Sequence, residues 1–234
     1  MHSLSMKLGE GIIMDTNKFY EFFQPEKCKH RVHIIGCGAV GSTIAELLTR
    51  MGITKFTLYD FDIVEPHNIA NQMFRHIDIG KKKTDALAEM MRDINPEVDI
   101  TIEDKYENQM LNGYVFLAVD KVGVRKDICQ KAQGNLNVKA IFDVRIRLTD
   151  AQAYAARWDN YSEIKDLLNS MNFTDEEAEA ETPVSACNMT ISVAPTVRMI
   201  CNLQVVNFIN LLKAPDQFKK VFLIDAFEHH IDKF

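Results

Sequence analysis

Six residues near the start of the chain, Gly36-Cys37-Gly38-Ala39-Val40-Gly41, have the spacing G-x-G-x-x-G. They follow a short apolar run and precede a helical pattern, which is the context in which such a turn holds a phosphate. The first glycine permits a tight turn, the second lets backbone approach the anion, and the third lets helix pack on strand. Amides at the helix N-terminus then face the phosphate. Asp60 lies 24 residues after Gly36, at the end of the next apolar run, where a carboxylate can hold ribose hydroxyls. These residues predict a nucleotide site but do not distinguish NAD from FAD or ATP. Taken alone, the turn and Asp60 also fit an NAD(P)-dependent oxidoreductase, a reading that gives Lys83 and Asn68 no role.

More hydrogen-bonding groups follow than a ribose needs. The stretch Asp60-Phe-Asp62-Ile-Val64-Glu65-Pro-His-Asn68-Ile-Ala-Asn71-Gln72 supplies three acids and three amides just beyond a buried strand. Lys81, Lys82 and Lys83 then open a helix, where cations oppose the positive end of the helix dipole unless an anion lies nearby.

The elements that must position these groups alternate strand and helix. Strands are expected over 31–36, 55–60, 98–104, 114–120 and 138–143. Helices follow the glycine turn up to Gly52, run from Lys83 to Ile94 with Pro96 just beyond, and end at Gly134. The run over 114–120 is apolar throughout, as a strand covered on both faces is. Such alternation implies βαβ units and a parallel sheet. After 143 the pattern changes to an antiparallel pair around Thr149-Asp150, with a last strand over 219–227. The expected fold class is therefore α/β, Rossmann-like, with a mainly parallel sheet, helices on both faces and an appended antiparallel portion. Residues 1–30 read as an N-terminal extension, in which Tyr20, Phe22 and Phe23 could dock. Residues 31–234 read as a single domain. The acidic tract over 174–183 is expected to be a solvated crossover loop extending to about 186. The segment from Ile191 to Leu212 is apolar nearly all round, so it is expected in the core or against a second copy of the chain.

Bulk properties narrow the function. The chain has 234 residues, is 47% hydrophobic and 26% charged, and carries a net charge of −6. That composition is ordinary for a globular protein, and the acidic balance argues against non-specific nucleic-acid binding. No apolar run of about 18 residues is long enough to span a membrane, and the N-terminus lacks the apolar core of a signal peptide. Cysteines at 28, 37, 129, 187 and 201 form no C-x-x-C pair, which suggests reduced thiols in the cytoplasm and no structural zinc.

The ordered set Gly36-x-Gly38-x-x-Gly41, Asp60-x-Asp62-x-Val64-Glu65-x-x-Asn68-x-x-x-Gln72, Gly80-x-x-Lys83 and Asp120 resembles the ThiF/MoeB family. "INPEV" after the lysine helix and "APTVRMICNLQVVNFINLL" are similar too, so the resemblance runs from about Arg31 to Phe227. It implies a homodimeric adenylyltransferase related to the ubiquitin-activating enzymes, using ATP and Mg²⁺. Such a protein activates a carboxylate, commonly the C-terminal glycine of a small ubiquitin-like or sulfur-carrier protein, or of a peptide. Carried onto this chain, Asp120 would hold Mg²⁺ and Lys83 would cancel phosphate charge. Asp60 would hold ribose, Asp62 would orient the loop, and Asn68 and Gln72 would reach phosphate or metal-bound water. Where the family usually has arginine before the glutamine, this chain has Asn71. Arg75, one turn on if the segment is helical, is the expected substitute. Cys187 stands near where some relatives carry a transfer thiol. These departures leave open a second reading, a nucleotide-binding relative with weak or no catalysis.

Overall fold

The computed structural model describes residues 14–181, 183–184 and 191–234. Eight strands form one sheet in the order β3-β2-β1-β4-β5-β6-β7-β8. The first five are β1 (Val32–Ile35), β2 (Lys55–Tyr59), β3 (Asp99–Glu103), β4 (Gly113–Leu117) and β5 (Val138–Arg147). They pair in parallel, with β1 between β2 and β4. Strands β6 (Asp150–Arg157), β7 (Val221–Asp225) and β8 (His230–Lys233) continue the sheet antiparallel. This is the expected α/β class with its antiparallel appendix.

The chain winds from β1 outward to β2 and β3, then returns to the other side of β1 for β4 and β5. The point of reversal is therefore between the C-terminal ends of β1 and β4, where α/β sheets open a crevice for ligands. The glycine turn leaves β1 at that point, and Asp120 follows β4 there.

Helices cover both faces. On one, α1 (Ala39–Arg50), α2 (Lys83–Ile94) and α6 (Ala194–Lys213) close a core that includes Val40, Ile44, Leu48, Leu87, Met91, Val197, Ile200 and Phe208. On the other, α3 (Val122–Ala132) and α4 (Tyr161–Asn169) bury Ile128, Cys129, Ile164 and Leu167 against Val115, Leu117 and Ile141. Each large aliphatic side chain so buried contributes about 1.5–3 kcal/mol. Phe116, Phe142 and Phe208 meet ring to ring at the centre of the first core, with Phe116 stacked on Phe142 at 4.6 Å between centroids.

The structure departs from expectation at four places. Strand β5 does not stop at Asp143 but runs on to Arg147, and the antiparallel pair is β5 from Ala140 onward with β6. Two elements, α4 and β8, were not anticipated. The acidic tract is not a loop over its described part: Asp175–Glu181 form a short helix, α5. Its first residue caps another helix, because Asp175 Oδ1 accepts the Val122 amide at the start of α3 at 2.6 Å. The apolar segment near the C-terminus is α6, and its apolar side is covered by the chain's own core. Of the three aromatic residues near the N-terminus, Phe23 is buried while Tyr20 and Phe22 stay exposed, with the Lys213 ammonium 3.1 Å above the Phe22 ring.

Candidate nucleotide site

The site starts with the backbone of the glycine turn. Gly36 has φ +95°, a conformation that strains any L side chain, and a Cβ on it would lie 2.6 Å from the Ala118 carbonyl oxygen. The turn is thus pressed against the end of β4. Gly41 is equally constrained, since a Cβ there would overlap the Gly36 carbonyl. Gly38 differs from both: it begins α1 with φ −72°, and a Cβ on it would meet nothing within 4 Å. Two glycines therefore serve packing, and the third leaves an open approach to the α1 N-terminus. That arrangement fits a phosphate.

Asp60 is held against this turn. Its Oδ2 accepts the Cys37 amide at 2.7 Å and its Oδ1 accepts the Asp62 amide at 2.8 Å. Burial pushes its carboxyl above the ordinary aspartate value, partly offset by those two amides and by the Lys83 charge. With both oxygens oriented before any ligand arrives, it can accept from ribose hydroxyls without reorganising.

Asp62 and Lys83 form the next part. The Lys83 amide donates to the Asp62 carbonyl at 2.9 Å, and its ammonium pairs with Asp62 Oδ2 at 2.7 Å. A bridge between Ile63 and Lys82, with Val64 donating to the Lys81 carbonyl at 2.8 Å and Gly80 donating to the Val64 carbonyl at 2.9 Å, ties the loop to α2. Lys83 is buried and has one charged partner among the described residues, so its ammonium is fixed at the loop's inner edge.

The amides divide their roles. Asn68 is buried, and its Oδ1 accepts the Glu65 amide at 2.9 Å, capping the 3₁₀ turn over Pro66–Ala70. That oxygen holds the turn, which leaves the Nδ2 end to donate to a ligand. Gln72 Oε1 is buried without a hydrogen-bond partner among the described residues. An orphaned amide end is costly unless something satisfies it, and a ligand or its water would. The neighbouring Met73 amide donates to Ser42 Oγ at 3.1 Å, which sets this segment against the first turns of α1.

Asn71 and Arg75 face elsewhere. Asn71 Nδ2 donates to Ser192 Oγ, on the segment leading into α6. Residues 71–75 are not helical, and Arg75 lies in a fork on Asp78, with Nε at 3.0 Å and Nη2 at 3.2 Å from its oxygens. The Arg75 guanidinium is thus bound to a carboxylate of its own loop. Asp120 is exposed just past β4 and has no ion-pair partner among the described residues, which leaves it free for a cation. Cys187 lies outside the described residues. The Cys37 thiol is fully buried, and burial raises its pKa well above the ordinary thiol value, so it is packed and unreactive.

Two arginines not anticipated from the sequence complete the surroundings. Arg125 of α3 donates to the Val119 carbonyl at 2.7 Å and pairs with the fully buried Asp143 of β5, which also takes Arg145 at 2.6 Å. This buried network fixes the strand ends around Asp120. Arg198 of α6 donates to Thr43 Oγ1 of α1. Both are visible in hindsight: Arg198 is the only charged residue in its helix before Lys213.

Comparisons with known proteins give the family and the fold. A sequence model described as the ThiF family matches residues 17–234, nearly the whole chain. The chain belongs to the ThiF family. A protein from Arabidopsis thaliana, ubiquitin-like modifier-activating enzyme 5, is 48% identical over 88 residues, covering 38% of this chain and 19% of that protein. The protein of the same name from Rattus norvegicus is 38% identical over 113 residues, 44% of this chain and 26% of that one. The chain thus matches about a fifth to a quarter of these relatives' length. Among solved structures, E. coli MccB with ATP superposes with a TM-score of 0.69 at 17% identity, over 90% of this chain and 65% of that one. PaaA does so with a TM-score of 0.68, also at 17% identity, over 90% of this chain and 65% of that one. These likenesses share the Rossmann-like fold described above.

Proposed function

We infer that this ThiF-family chain binds ATP with Mg²⁺ and adenylates a carboxylate, as an adenylyltransferase. The observation that carries the reading is the convergence at one strand-reversal point of an open glycine turn, a ribose-ready Asp60, the Asp62–Lys83 pair and an Asp120 with no ion-pair partner among the described residues. The matched relatives are named for activating a ubiquitin-like modifier, which supports a small ubiquitin-like protein, reacting through its C-terminal glycine, as the substrate class. A sulfur-carrier protein or a peptide ending in glycine has the same reacting group.

The chemistry is a problem of charge. A carboxylate must approach the α-phosphorus while pyrophosphate leaves, and both reactants are anionic. The α1 amides and Lys83 would hold the phosphates, each a donor that needs no reorganisation. Asp60 would fix the ribose and so the angle at which the α-phosphorus is presented. Asp120 would hold Mg²⁺, which supplies charge neutralisation to the departing pyrophosphate. Asn68 Nδ2 and the Gln72 amide add donors without adding charge.

A second reading, a nucleotide-binding module with weak catalysis, has one observation in its favour. Asn71 is tied to Ser192 and Arg75 to Asp78, so neither provides a free arginine. Exchange of labelled pyrophosphate into ATP, run with a panel of peptides ending in glycine, separates the two. Exchange with any substrate supports the enzyme. ATP binding with no exchange across the panel supports the module, and absence of ATP binding sinks both. We also propose that the chain forms a homodimer with α6 in or near the interface; a monomeric mass in light scattering at micromolar concentration would refute that.

A further inference from the structure

Helices α1 and α6 descend side by side from the C-terminal edge of the sheet. α1 begins at the glycine turn. α6 begins beside Ser192, which bridges to Leu148 just past the end of β5, and its Phe208 reaches Tyr114 at the start of β4. Cys201 Sγ lies 3.8 Å from the Val40 carbonyl in the first turn of α1. Arg198, three residues earlier on α6, places its guanidinium against Thr43, about one turn into α1 from Gly38. Its guanidinium donates to Thr43 Oγ1, which in turn donates to the Ala39 carbonyl at 2.7 Å. Asn71 and Met73 reach the same place through Ser192 and Ser42.

Arg198 is half-buried and has no carboxylate partner among the described residues. Every other half-buried or buried arginine or lysine named at this site has one: Arg125 and Arg145 have Asp143, and Lys83 has Asp62. A cation partly removed from water and left with only a neutral hydroxyl is poorly compensated, and an anion beside it would reverse that cost. The open face of Gly38 lies about one turn of α1 from Thr43, a distance that a long arginine side chain can cover by turning toward it.

We propose that Arg198 is the in-chain arginine of the nucleotide site, turning from the Thr43 hydroxyl onto the phosphates of bound ATP. A guanidinium matches phosphate oxygens in a two-pronged contact and stays charged throughout. The role would be binding and charge neutralisation along the triphosphate, supplied from a helix rather than from the loop that carries Asn71. This rests on the ATP-binding reading given above.

Calorimetry with ATP and with adenosine, on the full chain with Mg²⁺, tests it. Arg198→Gln is expected to weaken ATP binding by about tenfold or more, the loss of one charged hydrogen-bond partner. Adenosine binding should stay within about twofold, because no phosphate is present to feel the arginine. Arg198→Lys keeps the charge and should lose less ATP affinity than Arg198→Gln. Equal ATP affinity in wild type and Arg198→Gln overturns the proposal while leaving the nucleotide site intact. Equal losses for ATP and adenosine also overturn it, because they assign Arg198 to helix packing alone. A wild-type chain that binds neither ligand overturns the site reading, and this inference with it.

Discussion

The three glycines of the turn make opposite demands, and paired substitutions expose them. In Gly41→Ala the new Cβ would overlap the Gly36 carbonyl oxygen and sit 2.9 Å from its carbon and 3.1 Å from Ile34 Cγ2. All but the last are backbone atoms of a turn already pinned by the Gly36 amide to the Tyr59 carbonyl at 2.9 Å. No flexible side chain can give way, so α1 must move off β1. Overpacking of this kind costs about 1–3 kcal/mol, and a backbone collision belongs at or above the upper end. Gly38→Ala meets nothing within 4 Å, and its φ of −72° suits alanine. Its stability should change by about 1 kcal/mol or less, mostly because alanine is a poorer N-cap than glycine. Yet its methyl group would occupy the space through which a phosphate reaches the α1 amides. Urea denaturation should therefore show Gly41→Ala clearly destabilised and Gly38→Ala close to wild type. Calorimetry should show ATP affinity reduced about tenfold or more in Gly38→Ala, as expected when a charged ligand loses its backbone donors. Unchanged ATP binding in a well-folded Gly38→Ala would refute the assignment of the open face to the phosphates.

Other residues give independent checks. Burial lowers the His33 pKa to about 4 from an ordinary 6.5, with its ring between the Tyr59 hydroxyl and the Asn112 amide. The unfolded chain then binds more protons between those values, so stability is full above about pH 6.5 and falls toward pH 4, by about 3 kcal/mol in all. Urea midpoints from pH 4 to 7 should show that slope in wild type and a flatter one in His33→Gln. Lys83→Gln should leave the fold near wild type, because Asp62 is half-exposed and solvent screens its lost partner. The same change should weaken ATP binding about tenfold in calorimetry while sparing adenosine. Arg125→Met leaves the buried Asp143 with one cation instead of two, and should destabilise by about 3 kcal/mol or more in urea titration. Asp175→Ala removes the cap on α3 and should cost about 0.5–2 kcal/mol in the same measurement.

What the sequence showed, and what it concealed, follows from how local each signal is. The inner parallel strands β1 and β4 are apolar runs because helices cover them on both faces, the edge strand β3 alternates because it is partly exposed, and α2 has the bounds its apolar spacing and Pro96 imply. Gly36, Gly38, Gly41, Asp60, Asp62 and Lys83 were legible for a related reason. They are held together by bonds within one loop and the turn beside it, so their order along the chain already encodes their geometry. Helix α5 was hidden by composition, since its acidic residues form no apolar stripe. Its start was nonetheless written in Thr174 and Glu177, which exchange side-chain contacts with each other's amides at 2.8 and 3.2 Å. Strand β8 is short, polar and exposed at the sheet edge, and it pairs only because β7 presents a free side.

The arginines at the site pose the harder case. Arg75 looked available because of its spacing from Asn71, but Asp78 lies three residues away and holds it. Arg198 lies in a mostly apolar helix far along the chain, and its partner Thr43 is 155 positions distant. Whether a cation is free for a ligand depends on which carboxylates the fold brings near it. That is a property of packing between elements, and periodicity cannot report it. Residue type names the candidates for phosphate chemistry here, and the unneutralised charge left after folding selects among them, which places the weight of the site on Arg198 rather than Arg75.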